Sequence, residues 1–182
     1  MRLSLYRFDT GVETIGGNRV VFDLETGSAR FGAAVLEGPA LVWQLDHDAR
    51  DAEDALLSRF VQLDPYAAWV VRCDRIDFPL GGVAYPHTHP GPGIRYLLAG
   101  EIEIESEGRT AFYGTGGAWF ESGPDPVTAR ASTRFETSFV RVLVLPAEWA
   151  GKRTIRYLEQ PPETAAPQRA SVLLEHAISL PR

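Results

Sequence analysis

A single residue separates His87 from His89 in the run Tyr85-Pro86-His87-Thr88-His89. On an extended strand that spacing turns both imidazoles to one face, and Tyr85 shares their parity. Two imidazoles on one face are half of a site for one divalent transition metal (Fe, Mn, Ni, Zn or Cu). The other half needs a carboxylate or further imidazole. Without a metal, the same imidazoles can line a pocket or act as a general base near neutral pH. Three residues could supply a third ligand: Glu121, His47 and His176. Each also has a plainer reading, as a turn or surface carboxylate, a helix-entry residue and a packing histidine respectively.

Arg95 is the next residue of interest. Counted from His87 and His89 through Gly93, its parity puts it on the interior face, provided the strand carries no bulge. An interior guanidinium would hold a substrate carboxylate or phosphate in a bidentate grip, or pair with an internal acid such as Glu121 or Glu136. Arg141 interrupts the apolar run FVRVLVL; the same two readings apply, and a snorkelling surface position is a third. Tyr85, Tyr96, Tyr113, Trp119 and Phe120 are core aromatics by default. Alternation sends Trp119 and Phe120 to opposite faces, so only one of them can reach a pocket. The candidate ligand contacts are therefore Arg95, Tyr85, Trp119 and Glu121.

The elements that must position these residues read mostly as strands. Val20, Phe22 and Leu24 alternate with other residues, Glu25-Thr26-Gly27-Ser28 supplies a turn, and ARFGAAVL follows, the pattern of a hairpin. One short helix is expected in DAEDALLSRF (51–60), where Ala55, Leu56 and Phe60 have helical spacing and acids occupy the first turn. From residue 68 to 146, short apolar runs separated by Gly and Pro turns indicate a barrel or sandwich. In EIEIE, Glu101, Glu103 and Glu105 share one face, and Ile102 and Ile104 the other. EQPPETAAPQ (159–168) reads as a Pro-stiffened connector. Beyond it Val172, Leu174, His176, Ile178 and Leu180 form a terminal strand, blurred by Leu173 and Ala177. That strand either packs on its own barrel or crosses to a second copy and makes a homodimer.

Residues 81–105, GGVAYPHTHPGPGIRYLLAGEIEIE, resemble the first conserved motif of the cupin superfamily, with His-x-His six residues after Gly81 and a Pro/Gly turn before YLLAGE. Residues 116–126, GGAWFESGPDP, resemble the second motif. The resemblance covers about residues 68–146. It implies an all-β fold, the cupin double-stranded β-helix or jelly-roll-like barrel, preceded by an N-terminal β-hairpin extension (1–67) and followed by a C-terminal connector and strand (147–182), all within one domain. It also implies a small-molecule ligand in the barrel near His87 and His89. In metal-binding members a carboxylate stands three residues before the motif's aromatic, which is Gly93 here, and a closing His falls at Val127, or at Pro126 if the turn is one residue shorter. The usual Asp of the second motif is Gly117. Two of four usual ligands are absent.

The composition fits a globular protein, with 45% apolar and 23% charged residues. A net charge of −6 without a basic run argues against nucleic acid. No apolar stretch approaches the ~20 residues that span a bilayer, and MRLSLYRFDT lacks a signal-peptide core, so a cytoplasmic protein without a membrane partner is expected. Cys73, the one cysteine, reads as a buried strand residue. Three functions stay open: a small-molecule-binding protein, a mononuclear metal enzyme of dioxygenase or isomerase type acting on a small anionic substrate, and a metal-free enzyme with His87 or His89 as general base.

Overall fold

The computed structural model describes residues 1–47, 52, 54–166 and 168–180. Five strands, β1 (Arg2–Phe8), β2 (Val12–Asp23), β3 (Ala29–Leu36), β4 (Ala40–Asp46) and β5 (Leu57–Phe60), form an antiparallel sheet in the order β3-β2-β4-β1-β5. The β2–β3 hairpin is the one its alternation predicts. Asp23 starts its turn by accepting from the backbone N–H groups of Glu25 and Thr26 at 2.8 and 3.1 Å, an Asx-type local bond that substitutes for ladder pairing.

Eight strands follow: β6 (Trp69–Phe78), β7 (Val83–Thr88), β8 (Gly93–Ala99), β9 (Glu101–Ser106), β10 (Arg109–Gly114), β11 (Ala118–Glu121), β12 (Val127–Ala131) and β13 (Thr137–Pro146). They divide into two antiparallel sheets, ordered β11-β8-β13-β6 and β10-β9-β12-β7. This is the strand order of a jelly roll, two Greek keys wound into facing sheets. After a single 3₁₀ turn at Ala147–Trp149, β14 (Arg156–Tyr157) pairs with β7 and β15 (Arg169–Ile178) pairs with β6. The C-terminal segment thus adds a strand to each barrel sheet on the same side, and the terminal strand packs on its own barrel.

The sheet containing β6, β8, β11 and β13 is buried on both faces. Val71, Cys73, Ile94, Tyr96, Val140, Val142 and Val144 pack outward against Leu3, Leu5, Phe22, Leu41 and Trp43 of the N-terminal sheet. Trp43 Nε1 also donates to Ile94 O at 3.1 Å, so its large ring is buried without orphaning its N–H. Ile76, Phe78, Leu97, Trp119 and Phe139 pack inward against Ile102, Ile104, Val127 and Ala129 of the opposite sheet. Two-sided burial explains why FVRVLVL is almost continuously apolar, and why Cys73 is wholly enclosed. In β9, Ile102 and Ile104 are buried while Glu101 and Glu105 are exposed, as the alternation requires.

The helix expected in 51–60 is not there over its second half: Leu57–Phe60 is strand β5, while residues 48–51 and 53 lie outside the described residues. The unpaired edge of β1 decides the matter, because its N–H and C=O groups need partners. Arg2 to Leu5 take them from Leu57 to Phe60, and the Ser4 and Ser58 hydroxyls meet at 2.8 Å. Leu56 and Phe60, which helical spacing would bury together, are exposed. The blurred alternation of β15 also has a cause, a register shift between Val172 and Leu174 that lets Leu173 and Leu174 both pack on the core.

Candidate functional site

Charged residues run across the interior face of the β11-β8-β13-β6-β15 sheet. Arg72 and Asp74 project inward from β6, Arg141 from β13, Arg95 from β8 and Glu121 from β11, and all are buried. Each guanidinium has a carboxylate. Arg141 donates to Asp74 Oδ2 through Nε at 3.1 Å and Nη2 at 2.9 Å, and through Nη2 to Thr154 Oγ1 at 3.1 Å. Arg72 pairs with Glu175 of β15 and donates to the carbonyls of Lys152 at 2.6 Å and Trp149 at 2.9 Å. Arg95, fully enclosed, donates to Gly93 O at 2.6 Å, and its Nη2 lies 2.6 Å from Glu121 Oε2. That last contact is an ion contact without hydrogen-bond angles, so neither atom has a directed partner. Burial pulls the Arg95 pKa down to about 10, well below the ordinary guanidinium range, the neighbouring Glu121 carboxylate opposing the fall.

His87 and His89 face this row from β7 and the turn after it, their rings 4.9 Å apart and near perpendicular. A carbonyl only accepts, so each bond below fixes a tautomer. His87 Nδ1–H donates to Tyr85 O at 2.7 Å, and His89 Nδ1–H to Thr154 O at 3.1 Å. His89 Nε2 lies 3.4 Å from Arg141 Nη1, which donates to it, and 3.6 Å from Glu121 Oε2. His87 Nε2 has no partner among the described residues. Burial lowers both imidazole pKa values. For His87, Glu121 and the Tyr85 carbonyl partly offset the fall; for His89, which is driven well below 6.5, the Arg141 and Arg95 charges deepen it. Both rings are neutral at neutral pH.

Backbone packing holds the loop that carries His89. The His89 N–H donates to Gly123 O at 2.7 Å, tying the first histidine motif to the turn after β11. A Cβ at Gly91 would sit 2.0 Å from Val144 O, and one at Gly123, whose φ is +107°, would sit 2.6 Å from the Gly91 backbone. Only glycine allows these chains to approach so closely.

Between the sheets lies a cavity of about 560 Å³. Ile76, Phe78, Ile104, Trp119 and Phe139 form its apolar wall, His87, His89, Glu121 and Arg141 its polar one, and Lys152 to Ile155 with Gln168 and Val172 its rim. The C-terminal segment is therefore part of the cavity's wall.

Of the predicted contacts, Glu121 and Trp119 line the cavity beside His87 and His89, with Trp119 Nε1 donating to Glu121 Oε1 at 2.9 Å. Phe120 packs against the N-terminal sheet instead. Arg95 lies behind Glu121 and makes the acid pair, not a free anion clamp. Tyr85 does not line the cavity; its backbone carbonyl contributes by orienting His87. Arg141 is interior, and Glu136 is exposed. His47 is exposed, and His176 stacks on Phe31 with ring centroids 3.9 Å apart, also exposed. The sequence reading missed Asp74, Arg72 and Thr154. Asp74 and Arg72 had a signal, alternating charges in the apolar strand WVVRCDRIDF; Thr154 had none.

The metal that the cupin resemblance implies does not fit these residues. Among the described residues no group of three His, Cys, Asp or Glu is placed to hold a metal ion. At Gly93 a Cβ would meet Val142 O at 2.5 Å and Leu143 Cδ2 at 2.6 Å, so no carboxylate can stand there without backbone displacement. Val127, directly opposite His87, is buried and apolar. The Arg141 guanidinium meets His89 Nε2, the atom a metal would need.

Eight jelly-roll strands enclosing a cavity, with a His-x-His pair facing it from β7 and the turn after it, make a barrel of cupin type in fold. No family model and no curated protein matches the sequence. Among solved structures, the chain is similar to an RmlC-like cupin from Shewanella frigidimarina NCIMB 400 (19% identity, TM-score 0.39, 43% of this chain and 68% of that one). It is also similar to KdgF from Halomonas sp. (22%, 0.37, 50% and 79%) and to the polyketide cyclase RemF from Streptomyces resistomycificus (20%, 0.40, 52% and 63%). Among the described residues no helix is long and apolar enough to cross a membrane.

Proposed function

We propose that the protein binds an organic small molecule in the barrel cavity beside His87 and His89. One observation carries this reading: His87 presents an unpartnered Nε2 in the wall of a cavity of about 560 Å³, a volume typical of small-molecule sites. Arg141 is engaged with Asp74 and Thr154, and Trp119 with Glu121, which holds the cavity's shape before a ligand arrives. Asp74 Oδ1, Glu121 Oε2 and Gln168 Oε1 keep no hydrogen-bond partner among the described residues.

A metal-independent enzyme with a histidine base is the second reading, and the site's asymmetry favours His87 for the role. His89 Nε2 already accepts from Arg141, whereas His87 Nε2 is free and its tautomer is fixed.

The test is NMR of the protein labelled at histidine, screened against a library of small molecules. Ligands that bind here shift the His87 ring signals and cease to bind in His87→Ala. A library whose binders leave the His87 and His89 signals unmoved would sink the proposal.

A further inference from the structure

The charge pattern of the cavity narrows what it can hold. Arg72, Arg95 and Arg141 each face a carboxylate, Glu175, Glu121 and Asp74. A charged ligand group drawn among them would lose its hydration and find no unengaged counter-ion to replace it. Lys152 and Arg153 do stand at the rim, but they are exposed, and ion pairs in water add little. Beside the charged row on the same sheet face, Ile76, Phe78, Trp119 and Phe139, with Ile104 across from them, offer hydrocarbon and aromatic faces. The polar atoms of the wall left without a hydrogen-bond partner among the described residues all accept: His87 Nε2, the buried Asp74 Oδ1 and Glu121 Oε2, whose acids are already neutralised by Arg141 and Arg95, and the buried Gln168 Oε1. Because Nδ1–H is committed to the Tyr85 carbonyl, Nε2 can only accept.

We infer that the cavity takes an uncharged ring compound, largely hydrocarbon, that carries a hydroxyl: a phenol or an alicyclic alcohol whose O–H donates to His87 Nε2. This rests on the ligand-binding role proposed above. The volume of about 560 Å³ accommodates a ligand of more than one ring. The ring faces Trp119 and Phe139, which meet edge to face at 5.2 Å and so offer one flat and one edge-on aromatic surface. Anionic ligands, the class an interior arginine first suggests, are disfavoured because both arginines facing the histidines already have their acids.

Matched probes test the assignment by titration calorimetry near neutral pH: 2-naphthol, its methyl ether, 2-naphthoate and protonated 2-naphthylmethylamine. The neutral alcohol is expected to bind at least about tenfold more tightly than either ion. Methylating the hydroxyl should cost roughly five- to tenfold, the worth of one hydrogen bond. His87→Leu should erase that difference, while His87→Gln, which keeps an acceptor, should retain part of it. Should His87→Leu not fold, the alcohol-to-ether ratio in the wild type and His87→Gln carries the test. Tighter binding of the carboxylate or the amine, or equal binding of alcohol and ether, overturns the assignment. If all four probes fail while other molecules move the His87 signals, the ligand class is wrong and the ligand-binding role stands; if nothing moves them, both fall.

Discussion

Glu121 is the residue at which the site's electrostatics can be tested most sharply, through Glu121→Leu. Arg95 is fully enclosed, and Glu121 is 8% exposed. Removing the acid leaves a guanidinium without a counter-charge in a place where burial already penalises charge, pulling the Arg95 pKa down to about 10. Breaking a buried pair from one side costs about 3–5 kcal/mol, and Trp119 Nε1 loses its acceptor for about 1 kcal/mol more. With a urea m value of about 2 kcal/mol/M, the unfolding midpoint should fall by about 2–3 M. The double variant Arg95→Met/Glu121→Leu removes both charges and refills the volume with hydrocarbon, so most of the loss should return. Urea melts of wild type, both single variants and the double form the thermodynamic cycle. A loss below about 1 kcal/mol in Glu121→Leu, or a double variant no better than the single, would refute the pairing of these charges.

Two further expectations concern pH and the motif glycine. Both histidines have folded pKa values below the ordinary 6.5, so the unfolded chain takes up protons that the folded protein refuses. Stability is then fully present above about pH 6.5 and falls as pH drops towards the folded values, by up to about 1.4 kcal/mol per pH unit for each ring. Urea midpoints at about pH 7.5, 6 and 5 should show a steeper decline in wild type than in His89→Gln; equal slopes would contradict it. Gly93→Ala should cost about 1–3 kcal/mol by overpacking against Val142 O and Leu143. Gly93→Glu, which puts a carboxylate where metal-binding cupins carry one, should leave the protein without stoichiometric metal by elemental analysis, and a metal-loaded Gly93→Glu would count against the lack of fit.

The barrel was legible because its strands are patterned locally. Ile102 and Ile104 of β9 alternate with glutamates, and the turn at Asp23 is written in residues that bond their own backbone. The inward parity of Arg95, and the opposite facing of Trp119 and Phe120, followed from counting along extended chain. What escaped is what depends on distant partners. Ala55, Leu56 and Phe60 have helical spacing, yet β1 some fifty residues earlier supplies an open edge, and the ladder outweighs the periodicity. Arg141 finds Asp74 across 67 positions, a pairing that no local pattern encodes. The choice between a free and a paired Arg95 turned on whether Glu121 lies on the adjacent strand, and the β8–β11 register puts Glu121 opposite Gly93, two residues from Arg95. Thr154 lies outside any strand and is recruited by its carbonyl and hydroxyl, atoms whose role is set only by tertiary position.

The claim that a small molecule occupies the barrel beside His87 is tested most directly by a crystal structure of the protein with a bound library hit. The expected result is a ligand between the two barrel sheets, with a donor atom within hydrogen-bond distance of His87 Nε2 and its ring against Trp119 and Phe139. A second concavity of about 590 Å³ lies on the N-terminal sheet between Phe8, Val12 and Ile15. Ligand seated there, with the barrel cavity holding only water, would contradict the account.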